Sequence, residues 1–217
     1  MLSPRLQAVL EKVGSCEVLA DIGTDHAYLP IEACFNKLCK KAIACDINEG
    51  PLKTAASNIH EADLNIETRL GDGLDPLSEG EADCIVITGM GGKRIIGIIE
   101  KNLHKIKNAR LILQPQHDIE ELRRVLHSLS FEITDEKLIR EGERFYIIIC
   151  AEFSKKNKPW TDKEYFLGKT GKKHWQEYCR HRREKILRYI DAISDKATRL
   201  TAETQLKWLE EDINENG

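Results

Sequence analysis

Five short runs, at 18–20, 42–45, 66–70, 84–87 and 111–113, each end on a polar, acidic or glycine-containing element, and helix-spaced apolar residues recur between them. Runs this short, rich in Val and Ile, read as strands. Strands alternating with helices dictate an α/β fold, a mostly parallel sheet covered by helices on both faces. Two further strand-like stretches, 131–138 and 144–153, are separated by Arg140-Glu-Gly-Glu143, which predicts a hairpin and an antiparallel end to the sheet.

Helix boundaries follow from caps. Ser3-Pro4 is an N-cap followed by a first-turn proline, and Leu6, Val9, Leu10 and Val13 then give a lead-in helix. Asn48 is placed to cap a helix carrying Leu52, Ala55, Ala56 and Ile59, and Asp118 with Glu121 starts another. The polar linker Lys155-Lys-Asn-Lys-Pro159 divides the chain into a domain over 1–154 and a helical one over 160–217, which Thr161-Asp-Lys-Glu164 opens as the capping box of a long helix. Ile186, Ile190, Ile193, Ala197 and Leu200 step by four and three, and Ala202, Leu206, Leu209 and Ile213 repeat the step out of phase. This predicts a helical hairpin or broken coiled coil that turns near 198–202.

No apolar run approaches membrane-spanning length, and the N-terminus lacks a basic region followed by an apolar one, so a cytoplasmic protein without a membrane partner is expected. The seven cysteines form no Cys-x-x-Cys pair, and Cys45, Cys84 and Cys150 lie inside strands, so they read as reduced core thiols and no metal is expected. Lys plus Arg against Asp plus Glu is 18 to 25 over 1–152 but 12 to 4 over 153–188, so one end of the molecule suits an anionic partner.

In open parallel sheets, ligands bind beyond the carboxyl ends of the strands. The first such end, Asp21-Ile-Gly-Thr-Asp-His-Ala-Tyr-Leu-Pro30, reads as strand, turn and helix start. A dinucleotide fingerprint would place glycines where Asp25 and Ala27 stand, and Asp25 would repel a pyrophosphate. A ligand with an ammonium group and no phosphate suits Asp21 and Asp25 better, and S-adenosylmethionine is of that kind. Asp46, 23 positions after Gly23, has nearly the spacing of a carboxylate that accepts from both ribose hydroxyls, and Asp72 can accept from the exocyclic amine of an adenine. For any one such aspartate, a turn or cap role is the commoner reading.

That ten-residue motif, together with Ser3-x-Arg-Leu6, Thr88-Gly-Met-Gly-Gly92, Leu113-Gln-Pro115 and a basic helical tail, closely resembles the bacterial TrmK family, tRNA adenine-22 N1-methyltransferases, over essentially the whole chain. The resemblance implies a class I (Rossmann-like) methyltransferase fold with seven strands, the last pair antiparallel, and S-adenosylmethionine as methyl donor. The tail resembles the family in charge and heptad pattern, which implies a coiled-coil-like C-terminal domain. Carried onto this chain, Asp21, Gly23, Thr24, Asp25 and His26 would border the methionine moiety and Asp46, beside Ile47, the ribose. Asp72 and Gly73 would meet the adenine, and Thr88, Gly89, Met90, Gly91 and Gly92 would form the rim facing the target base. The Asn/Asp-Pro-Pro-Tyr/Phe motif of amino-methylating enzymes is absent from that rim, consistent with attack by a ring nitrogen.

Neutral adenine N1 carries a lone pair, so catalysis would rest on alignment and on exposing N1 by unstacking or flipping the base. Tyr28 is the candidate for stacking on that base, against ordinary packing at the helix start. His26 reads as a hydrogen-bonding turn residue and not as a base. In the tail, Lys169, Lys172, Lys173, Arg180, Arg182, Arg183 and Arg188 interleave with Trp160, Tyr165, Trp175 and Tyr178, a mixture suited to phosphate contact and stacking in a tRNA. The plainer alternative is a solvated helix docked on the core by its aromatics. A monomer is expected. Two other functions stay open at this point: methylation of another RNA or a small molecule, and a non-catalytic RNA-binding module with a degenerate nucleotide pocket.

Overall fold

The computed structural model describes residues 2–169, 171 and 173–215. Seven strands, β1 (Cys16–Ile22), β2 (Cys39–Asp46), β3 (Ile66–Leu70), β4 (Cys84–Met90), β5 (Arg110–Pro115), β6 (Phe131–Glu141) and β7 (Arg144–Phe153), form one sheet in the order β3-β2-β1-β4-β5-β7-β6. The first five are parallel, and β7 runs antiparallel to both β5 and β6. This is the sheet of a class I methyltransferase.

Side chains alternate along each strand, so successive residues feed opposite faces. Leu19, Ala42, Ala44, Val86 and Ile112 pack under α1 (Pro4–Val13), α2 (Tyr28–Phe35) and α3 (Glu49–Glu61). Ala20, Ile43, Ile85, Ile87, Leu111 and Leu113 face α4 (Gly92–Lys101), α5 (Leu103–Ile106), α6 (Ile119–Ser128) and the C-terminal helices. Pro4 stands at the first position of α1, and Ser3 Oγ accepts from the Leu6 N–H as its cap.

Two expected caps are absent. Asn48 occupies the N-cap of α3, but its side chain makes no cap bond, and its N–H donates instead to Asp46 Oδ1 (2.9 Å). Asp118 stands at the N-cap of α6 in the left-handed region (φ 56), with its carboxylate drawn sideways to His117 Nδ1 (2.7 Å). Strand β4 also runs on to Met90, so Thr88, Gly89 and Met90 of the glycine-rich rim belong to the sheet.

The C-terminal segment departs furthest from the sequence pattern. Thr161 and Glu164 form the full reciprocal capping box, yet it opens only the six-residue α7 (Asp162–Leu167), which Gly168 ends at φ 83. Helices α8 (Trp175–Leu187) and α9 (Lys196–Glu215) pack on each other within the chain. Their connection lies at 188–195 and holds a 3-10 turn, Ile190–Ala192, so the turn precedes the expected 198–202. Buried Ile190 and half-buried Ile193 carry the apolar step through the break, whereas Leu200, which shares the step, is 63% exposed.

Phe166, Trp175, Tyr178, Ile186 and Leu209 join the same buried cluster as Ile87, Leu113 and Phe131, so the tail shares a core with the sheet. A buried ion pair reinforces the junction. Arg123 Nε donates to Glu136 Oε1 (2.7 Å) with both side chains almost fully buried. Arg123 Nη1 reaches the Tyr165 carbonyl (2.8 Å), and the Lys169 N–H donates to Glu136 Oε2 (2.5 Å). Among the described residues, no helix is long and apolar enough to cross a membrane, and no three side chains are grouped to hold a metal.

Candidate active site

The strand order reverses between β1 and β4, and the carboxyl ends of β1, β2 and β4 open onto a crevice at that point. One cavity there, of about 530 Å³, is lined by Asp21, Thr24, Asp25, His26, Tyr28 and Thr88 among others. A second, of about 330 Å³, is lined by Asp46, Ile47, Gly73, Arg94 and Ile98 among others. Gly23 and Met90 line both and divide them. Gly23 has a φ of 75 and a Cβ there would strike the Met90 methyl group, so only glycine lets Met90 form this partition.

Tertiary hydrogen bonds hold the turn after β1 in an unusual shape. The Gly23 and Thr24 N–H groups both donate to the Cys45 carbonyl (2.9 and 3.0 Å), which ties the end of β1 to β2. Asp25 (φ 55) and Ala27 (φ 57) are left-handed, a conformation that costs an L-residue roughly 1–2 kcal/mol. Asn58 Nδ2 supports the turn by donating to the His26 carbonyl (2.9 Å).

The electrostatics favour a cation. Asp21 is buried and accepts from the Thr24 hydroxyl (2.7 Å). Burial pushes its carboxyl up to about 6, against the stabilising Thr24 bond and with help from the charge of Asp46. Asp46 is also buried, and its Oδ1 and Oδ2 accept from the Asn48 and Asp25 N–H groups (2.9 and 3.4 Å), which fix the carboxylate at the mouth of β2. His26 lies 3.4 Å from Asp25 through Nε2, stacks on Tyr28 (5.2 Å between rings, 28° apart), and has a buried Nδ1 without a partner among the described residues. Tyr28 itself is 51% exposed. A buried carboxylate in need of a cation, a fixed carboxylate one strand away and an orphaned ring nitrogen fit a nucleoside that carries an ammonium group and no phosphate.

Not every expected residue reaches these cavities. Asp72 Oδ1 is bound by Arg94 Nη2 (2.5 Å), and Asp72 lines a neighbouring hollow with Lys93 and Lys101, while Gly73 alone of the pair stands in the second cavity. Gly91 does line the second cavity, with its α-carbon against the His117 ring. Arg5 lines the first cavity together with Leu2, Ser3 and Leu6 of the lead-in segment, and it donates to Gln114 Oε1 (2.7 Å). Neither Arg5 nor Gln114 was expected in the site. Their only signal lay in the Ser3-x-Arg-Leu6 and Leu113-Gln-Pro115 motifs, which carry no local chemistry of their own.

In the tail the structure separates exposed cations from those held in structural contacts. Arg182 is structural: its Nη1 donates to the Phe166 carbonyl (2.7 Å) and its guanidinium lies 3.7 Å from the Phe166 ring centre. Lys169 pairs with Glu164 (2.9 Å) over the Trp160 ring, and Arg183 pairs with Glu210 (3.1 Å). Lys173, Arg180 and Arg188 are exposed, and Lys172 lies outside the described residues. Tyr165, Trp175 and Tyr178 are buried, so these aromatics dock the tail on the core and are not available to stack on bases.

Comparison with known proteins agrees with this geometry. Residues 2–149 match a family model described as a methyltransferase domain. The tRNA (adenine(22)-N(1))-methyltransferase of Bacillus subtilis strain 168 is 41% identical over 154 residues, and the aligned stretch spans 70% of this chain and 65% of that relative. A Streptococcus pneumoniae structure described as a putative tRNA (m1A22) methyltransferase in complex with S-adenosyl-L-methionine superposes with a TM-score of 0.88 at 31% identity, covering 98% of this chain and 100% of that one. Mycoplasma capricolum TrmK in complex with S-adenosyl-homocysteine superposes with a TM-score of 0.86 at 27% identity, covering 99% and 98%.

Proposed function

The chain belongs to the TrmK family of tRNA (adenine(22)-N(1))-methyltransferases, and from that premise we propose that it transfers a methyl group from S-adenosylmethionine to N1 of adenine 22 in tRNA. The observation that carries this reading is buried Asp21 beside the Gly23–Met90 partition, a carboxylate in want of a cation where two cavities meet. Asp21 receives the ammonium group, and Asp46 accepts from the ribose hydroxyls. Ile47, half exposed beside Asp46, and Gly73 wall the adenine.

S-adenosylmethionine supplies an electrophilic methyl group on a sulfonium. The residues of this chain supply alignment, because the lone pair of neutral adenine N1 needs no base to release it. Thr88, Gly89 and Met90 form the wall facing the target base, and the exposed Tyr28 ring, held by His26, stacks on that base once it leaves its helix. Lys173, Arg180 and Arg188, exposed on residues 160–217, contact the tRNA backbone. The pairing of α8 with α9 within one chain supports a monomer. A tRNA substrate supports a cytoplasmic location.

The test is methyl transfer to an unmodified tRNA transcript, with the modified nucleotide identified by mass spectrometry. We expect N1-methyladenine at position 22 and none in a transcript carrying guanine there. A preparation that binds the cofactor yet transfers nothing to tRNA overturns the proposal.

A further inference from the structure

The ladder between β4 and β5 pairs Thr88 with Gln114 and Met90 with Pro115, so Gly89 is a bulged residue with no partner opposite it. Its N–H does not go unsatisfied. It donates to the side-chain Oε1 of Gln114 (3.2 Å), which also accepts from Arg5 Nη1 (2.7 Å). Gln114 Nε2 in turn donates to the Pro115 carbonyl (2.9 Å). Two donors on the oxygen and one acceptor at the nitrogen fix the direction of the amide. Gln114 is fully buried, and Arg5 is half-buried with its guanidinium 5.5 Å from the Tyr146 ring centre.

We propose that Arg5 and Gln114 are positioning residues for the proposed methyl transfer: together they occupy the Gly89 N–H and hold the rim in the shape that receives the target base. Gly89 lies on the first cavity at φ 75, with open space where a Cβ would stand, so its backbone borders the space left for that base. Adenine N1 attacks through its lone pair, and a free N–H at the rim is a donor that would hydrogen-bond that lone pair and blunt it. Gln114 removes this donor from the cavity, and Arg5 keeps the Gln114 oxygen turned toward it. Because Arg5 is carried by α1, the same contacts tie the lead-in segment, which lines the cavity, to the rim at Gly89.

The test compares Arg5→Ala, Arg5→Lys, Gln114→Leu and the Arg5→Ala/Gln114→Leu double variant with the unaltered chain. Single-turnover transfer to saturating tRNA, cofactor affinity by calorimetry and the thermal midpoint are read for each. We expect transfer to slow about 100-fold in Gln114→Leu, the scale of a reacting group misplaced by about 1 Å, and about 10-fold in Arg5→Ala. Cofactor affinity should stay within about twofold, and the double variant should be no slower than Gln114→Leu, because the two residues act through one oxygen. Arg5→Lys keeps a donor and should restore part of the rate. If Gln114→Leu does not fold, the Arg5 pair decides the matter. Unchanged transfer in the folded variants, or a loss confined to cofactor affinity or stability, overturns the assignment. Absence of transfer by the unaltered chain overturns the methyltransferase reading itself.

Discussion

Asp46 and Asp25 meet across the crevice: Oδ2 of Asp46 lies 3.4 Å from the backbone nitrogen of Asp25 and accepts its hydrogen. The residue proposed to bind the ribose therefore also steadies the turn proposed to hold the ammonium group. Asp46→Ala removes both functions and should weaken cofactor binding at least about 100-fold, near 3 kcal/mol, the scale of lost hydrogen bonds to a charged group. Asp46→Asn keeps one acceptor and should fall between. Calorimetry measures both, and an unchanged affinity in Asp46→Ala would remove the ribose assignment.

Asp21 gives the site a pH dependence with a definite sign. Its carboxyl titrates near 6 when folded, against an ordinary value of 3.8, because burial opposes the charge. The folded chain thus holds this proton more tightly than the unfolded one, so in the absence of ligand Asp21 makes stability fall as pH rises from 3.8 to about 6, with no further change above. Binding of an ammonium group requires the ionised form. Cofactor affinity should be full above about pH 6 and decline toward tenfold per unit below it. Asp21→Asn should bind weakly at every pH, and an unaltered chain with pH-independent affinity between about pH 5 and about pH 7 would count against the ammonium contact.

The exposed cations of the tail and the half-buried, bonded Arg182 should behave oppositely. Charge reversal of Lys173, Arg180 and Arg188 should weaken tRNA binding, lower its dependence on salt by about one unit of slope per lost contact, and spare cofactor binding. Arg182→Ala should instead lower the thermal midpoint, since Arg182 caps the end of α7 over Phe166. Filter binding across a salt series together with a melting curve separates the two groups, and a salt-insensitive tRNA affinity would make the tail purely structural.

Glu136→Gln leaves the Arg123 guanidinium buried without its counter-charge and should cost about 3–5 kcal/mol of stability. Replacing both partners, Arg123→Met with Glu136→Leu, should recover much of that loss. Denaturant titration reads the difference, and a single variant no worse than the double would show that the pair contributes little.

The sheet, its antiparallel end and the acidic turn were legible in the sequence because each depends on local alternation and on where polar residues interrupt it. Asp46 was legible for the same reason, at the end of one apolar run. The partner of Asp72 was not, because Arg94 arrives from α4, 22 positions on. Asn48 and Asp118 have the composition of caps, but neighbouring groups, the Asp46 carboxylate and the His117 ring, changed what they bond. Arg182 reads as a surface cation in any helical plot; only the fold reveals the Phe166 ring beneath it. The role of Gln114 depends on a bulge in the adjacent strand, which no spacing rule marks.

The shared core beneath the C-terminal helices makes the molecule a caliper. Phe166, Trp175 and Leu209 are set in the same packing as Ile87 and Leu113, at the foot of the rim, and the Arg123–Glu136 pair closes the joint, so these parts of the tail rest directly on the sheet. A polynucleotide gripped on the outer cations would be held at a constant span from the methyl-transfer point. Choice of nucleotide would then be a matter of measured length along the folded RNA as much as of the base presented.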